Sequence, residues 1–120
     1  MERYKTWIKK AKSSLEISKT AASMDVDYGD LCYQSQQVVE NGLTGLLIYY
    51  GVEPEFTQDI EVLLNEIEKF TEIPQDIKEA AKLTKSDNVT KRGYEESIKI
   101  ANKCFEWIEN KIKENEKNKK

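Results

Sequence analysis

The stretch from Tyr28 to Tyr50, YGDLCYQSQQVVENGLTGLLIYY, constrains the fold more than any other part of the chain. Leu31, Ser35, Val38, Gly42, Gly45 and Tyr49 recur in steps of four, three, four, three and four. That period puts small and apolar side chains on one face of an α-helix. A second stripe, Val39, Leu43, Leu46, Leu47 and Tyr50, lies beside it. Two adjacent stripes make a wide apolar sector, so the helix must be covered on more than one side. Gly42 and Gly45 each weaken a helix by roughly 1 kcal/mol relative to Ala. Their place on the apolar face predicts close approach by a neighbouring helix. Gln34, Gln36, Gln37, Glu40 and Asn41 form the polar half.

Helical periods recur on both sides of this stretch. Tyr4, Ile8, Ala11, Leu15, Ser18 and Ala22 predict a first helix over 2–23, with Arg3, Lys5, Lys9, Lys10, Lys12 and Lys19 on its other face. Asp25 or Asp27 is an available N-cap for the second helix. Gly51 follows the last apolar residue of that helix, where a C-cap needs positive φ. Pro54 ends the pattern, and Thr57 reads as the N-cap of a third helix with Asp59 in its first turn. Ile60, Leu63, Leu64, Ile67 and Phe70 make its inner face. Pro74 suits the first turn of a short fourth helix, Gln75 to Leu83. Thr84 to Gly93 reads as an irregular basic loop around the turn signal Asp87-Asn88. Tyr94, Ile98, Ala101, Phe105, Ile108 and Ile112 then define a fifth helix. The expected architecture is all-α, an up-and-down bundle of four to five helices. Residues 1–112 form one domain, and 113–120 a charged tail without apolar residues that should fray.

Composition excludes several function classes. The 120 residues contain no histidine, which removes the usual general base, the usual metal ligand and every Ser/His or Cys/His pair. Cys32 and Cys104 are far apart and sit on or beside apolar stripes, the setting of buried reduced thiols in a cytoplasmic protein. No Glu-x-x-His or Gly-rich phosphate loop is present, so no metal and no cofactor are expected. No run approaches the roughly 18 apolar residues of a membrane span. The net charge of −3 gives no global attraction to nucleic acid, but charge is unevenly spread. Residues 1–20 carry six Lys/Arg against two acids, and residues 51–80 nine acids against two Lys. The remaining candidate site is Lys91-Arg92 with Tyr94 beside it: two cations near an aromatic ring can hold a phosphate and stack a base.

The order of features resembles the HEPN family (higher eukaryotes and prokaryotes nucleotide-binding), over roughly Trp7 to Ile112. Tyr33, Gln37, Glu40, Leu43, Leu46 and Leu47 are similar to the family's aromatic-x-x-x-Gln-Gln-x-x-Glu-x-x-Leu-x-x-Leu-Leu pattern. Thr57-Gln58-Asp59-Ile60 stands where Thr-His-Asp-Leu is frequent, and Ala101, Cys104, Trp107 and Ile108 resemble the closing Ala-x-x-hydrophobic-x-x-Trp-hydrophobic run. The resemblance implies a helical bundle that dimerises, in RNA processing, toxin–antitoxin or defence settings. Many such proteins are metal-independent ribonucleases with an Arg-x4–6-His motif; others are inactive and accompany a minimal nucleotidyltransferase. Without histidine, that motif cannot be written here. The expectation is therefore a non-catalytic, dimeric binding module that pairs with a nucleotidyltransferase-type partner or binds nucleotide or RNA weakly. The alternatives are a divergent ribonuclease built on Lys91, Arg92 and Tyr94, and a plain helical interaction domain.

Overall fold

A computed structural model describes residues 3–21, 28–53, 59–83 and 91–118 of the chain. Its elements are α1 (Arg3–Ala21), α2 (Tyr28–Tyr49), α3 (Ile60–Glu68), α4 (Gln75–Lys78), a 3-10 helix (Glu79–Leu83) and α5 (Lys91–Asn118). The architecture is the expected all-α bundle, and the described residues contain no strand.

α2 is the central element. Val38, Val39, Leu43, Leu46 and Leu47 are all buried, together with Ile60, Leu63 and Ile67 of α3 and Ala101, Cys104 and Ile108 of α5. The glycine expectation is met at atomic detail. A Cβ on Gly42 would lie 2.8 Å from Ile108 Cδ1, and one on Gly45 would lie 2.9 Å from Ile8 Cδ1 and 3.1 Å from Trp7 Cβ. Glycine therefore lets α1 and α5 press against the α2 backbone, a gain in packing that offsets its helix propensity.

Two hydroxyl groups fix the directions of the long helices. Tyr4 of α1 packs edge-on against Tyr49 at the C-terminal end of α2, so α1 and α2 are antiparallel. Tyr49 donates to Glu116 Oε1 at 2.8 Å, and Tyr94 donates to the Ser18 carbonyl at 3.1 Å. α5 consequently runs parallel to α2 and antiparallel to α1. The segment containing α3, α4 and the 3-10 helix carries the chain back between them.

The element ends follow local chemistry. Gly51 has φ +88°, its N–H donates to Ile48 O at 2.9 Å, and the Val52 N–H donates to Leu47 O at 3.0 Å. This is the paired closure that a positive-φ glycine permits at a helix C-terminus. Asp59, placed by the sequence reading in the first turn of the third helix, is instead its N-cap: Oδ1 accepts from the Glu61 N–H at 3.0 Å. Thr57 and Gln58 lie outside the described residues, as do Asp25, Asp27, Asp87 and Asn88. Pro74 precedes α4 by one residue, with its carbonyl accepting from Ile77 and Lys78.

Two expectations are corrected at α5. Lys91, Arg92 and Gly93 belong to the helix rather than to a loop, and the helix continues through Asn118 instead of fraying after Ile112. The added turns consist of Lys, Glu and Asn, of which Lys and Glu are good helix formers. They are held by the Tyr49–Glu116 hydrogen bond and a Lys111–Glu114 pair at 3.7 Å. Phe70 is a third correction. It falls after α3 has ended, so it turns out of the inner face, is 47% exposed and stacks on Tyr50 with centroids 5.1 Å apart.

Candidate functional site

The sequence singled out Lys91, Arg92 and Tyr94. The structure places all three in the first turn of α5, beside the C-terminal end of α1. Their roles separate there. Tyr94 is 6% exposed and its hydroxyl is spent on the Ser18 carbonyl, so it anchors α5 to α1 and offers no open face for a base. Lys91 and Arg92 sit where the unpaired N–H groups of a helix start favour anions. Their side chains lie outside the described set.

The family-motif residues lie on α2 and α5. Glu40 is 6% exposed, although the sequence reading put it on the polar half. Its two oxygens accept from Gln36 Nε2 and Gln37 Nε2, each at 3.0 Å. Burial raises the Glu40 pKa, and the two amide hydrogen bonds work against that rise. The signal available in the sequence was local: Gln at three and four residues before a Glu puts both amides within reach of one carboxylate. Tyr33, one turn before Gln37, is 53% exposed. Trp107 is half-buried against the core and borders an open groove of about 270 Å³ with Pro74, Asp76, Ile77, Lys103 and Glu106. Lys111 Nζ stands 6.0 Å from its ring centroid.

Sequence reasoning missed the aromatic cluster at the far end of the bundle. Tyr4, Tyr49, Tyr50 and Phe70 contact one another in series, beside a bidentate Arg3–Glu53 pair at 2.8 and 2.9 Å. Tyr49, half-buried and bonded to Glu116, has its hydroxyl pushed up to about 12, burial being the largest cause. It is neutral and serves as a donor. Cys32 and Cys104 are free thiols, and complete burial pushes Cys104 up to about 12, which removes thiolate chemistry near neutrality. Among the described residues no three His, Cys, Asp or Glu side chains converge as a metal site. No described helix is long and apolar enough to cross a membrane.

The HEPN domain profile matches residues 4–112. The chain belongs to the HEPN family. An archaeal HEPN homologue of known structure is 29% identical, with a TM-score of 0.77, covering 93% of this chain and 99% of that one. A Thermus thermophilus protein is 24% identical with a TM-score of 0.81, covering 92% and 99% respectively, and shares the fold. No functionally curated protein matches. Within the HEPN frame, Tyr33, Gln37, Glu40 and Trp107 occupy helices α2 and α5. Gln37 and Glu40 are joined there by a hydrogen bond.

Proposed function

We propose that this chain is a non-catalytic HEPN binding module that dimerises in the cytoplasm and binds RNA or nucleotide weakly, or pairs with a minimal nucleotidyltransferase-type partner, in a toxin–antitoxin or defence setting. The observation that carries this reading is the lack of histidine in a HEPN domain. Neither the buried Cys104 thiol nor the Tyr49 hydroxyl replaces it, since both are protonated near neutrality, and Glu40 is enclosed by its own amides. The ribonuclease alternative loses one of its three residues, since the Tyr94 hydroxyl is committed to Ser18.

The remaining chemistry at the start of α5 is that of anion binding. Lys91 and Arg92 add two charges to a helix N-terminus, and a dimer brings two such starts into one molecule. The experiment is incubation with labelled single-stranded and hairpin RNA, followed by gel and anisotropy. The expected result is no cleavage and weak binding that falls with salt and with the K91A/R92A double substitution. Cleavage that disappears in Arg92→Ala would establish the ribonuclease instead. A stable complex with a co-expressed small nucleotidyltransferase, without RNA binding, would select the partner role.

A further inference from the structure

α1 carries the largest net charge of the described elements. It carries six cations and one acid, a net charge of +5 in a chain whose net charge is −3, so the remainder carries −8. Lys5, Lys9, Lys12, Glu16 and Lys19 follow one another in steps of four, three, four and three, which aligns them along one face. All five are exposed. From Lys5 to Lys19 the face covers about 21 Å of helix.

These lysines differ from the cations at the C-terminal end of α3 and in α4. Lys69 is held by Glu66 at 3.1 Å, and Lys78 by Glu68 at 2.7 Å. Lys9, Lys12 and Lys19 have no carboxylate within ion-pair distance among the described residues. Three lysines without an ion-pair partner among the described residues, on one helix face, suit a ligand that supplies negative charge at intervals along a line.

From this face we infer that α1 is the backbone-tracking surface for single-stranded RNA, with Lys9, Lys12 and Lys19 contacting phosphates along the strand. The choice of RNA rests on the binding reading given under Proposed function. The inner face of α1 is already buried in the core through Ala11, Leu15 and Ser18, so no apolar stripe remains to enter a bilayer. Protein interfaces are depleted in lysine and centred on apolar side chains. The exposed apolar residue of α1, Ile17, lies about 100° round the helix from Glu16 and outside the stripe. The stripe ends at Lys19, beside Ser18, whose carbonyl holds Tyr94. Lys91 and Arg92 begin α5 within one turn of Tyr94, so the α1 track and the start of α5 meet at the same end of the bundle.

The test is fluorescence anisotropy with a labelled oligouridylate of about twenty nucleotides, a length that exceeds the site sizes of small single-strand binders. Lys9→Glu/Lys12→Glu/Lys19→Glu should lower affinity at least tenfold at about 50 mM salt, and three lost phosphate contacts should flatten the salt slope by about 2. Glu16→Lys fills the gap in the stripe and should raise affinity and steepen the slope by about 0.7. That gain cannot arise from misfolding. Binding unchanged in the triple variant but lost in K91A/R92A would overturn the α1 track and leave the α5 site standing. Absence of RNA binding by the unmodified protein would overturn it too, while leaving the partner role intact. Stronger binding to phosphatidylserine vesicles or to polyglutamate than to the oligouridylate would replace RNA by a membrane or an acidic protein.

Discussion

Gly42 and Gly45 lie three residues apart on α2, yet an added methyl group would meet different resistance at each. At Gly42 the near atom is the end of a flexible side chain, Ile108 Cδ1. At Gly45 the methyl group would also press on Trp7 Cβ at 3.1 Å, an atom fixed to the α1 backbone. Overpacking costs about 1–3 kcal/mol and the helix gains about 1 kcal/mol from Ala. Gly42→Ala should therefore be close to neutral, and Gly45→Ala destabilising by about 1 kcal/mol. Urea denaturation of the pair measures the difference, and equal effects would contradict the packing account. The need for small residues was legible from their place on the apolar face; which one is tighter was not, because that depends on the partner's side chains. Glu40 is the counter-example, a residue read as polar surface that the fold encloses. Its folded pKa is raised, so its contribution to stability is present below the ordinary carboxylate range and is lost as pH rises through the folded value. Glu40→Gln should accordingly gain on the unmodified protein between about pH 4 and pH 7. A stability difference constant across that range would show that Glu40 titrates alike in both states.

Helix existence was legible wherever an apolar period was long, as in α1, α2 and α5. Helix ends were legible only where the signal is a single residue with a physical reason. Gly51 is such a residue, because only positive φ closes the α2 terminus. Asp59 was misassigned by one role, since Thr57 and Asp59 both have capping side chains and sequence does not choose between them. The last turns of α5 were illegible for another reason. Their support comes from Tyr49, 67 residues away in sequence, and not from any apolar repeat. Tyr49→Phe keeps the ring and removes the hydroxyl that donates to Glu116. Hydrogen exchange should then speed up at residues 113–118, with the exchange of α2 amides unchanged, because those turns contribute little to the core. Unchanged exchange at 113–118 would mean that the tail helix stands on its own side-chain pairs.

At the scale of the molecule, α5 spans about 42 Å of a body whose longest dimension is 47 Å, so its outer side is the longest continuous surface available to a second copy. Trp107 lies on that helix, half-buried beside a groove whose rim carries both signs of charge: Asp76 and Glu106 against Lys103. A rim of this kind suits a two-fold contact. Under two-fold symmetry each patch meets itself, so Lys103 of one protomer can face Glu106 of the other, and the reciprocal pair forms automatically. The two Trp107 rings would then supply the apolar centre that such an interface needs. The dimer expected of this HEPN module is therefore predicted to form across α5. Lys103→Glu and Glu106→Lys each place like charges together and should each weaken association. The double swap Lys103→Glu/Glu106→Lys restores opposite charges and should recover the dimer. Because both side chains are exposed, none of the three variants should unfold the bundle, and circular dichroism checks that. Sedimentation at tens of micromolar, where about −6 to −8 kcal/mol of association registers, measures the outcome. A monomer of the unmodified protein at that concentration removes the dimer. A dimer indifferent to both single substitutions keeps the assembly but moves its interface away from Trp107.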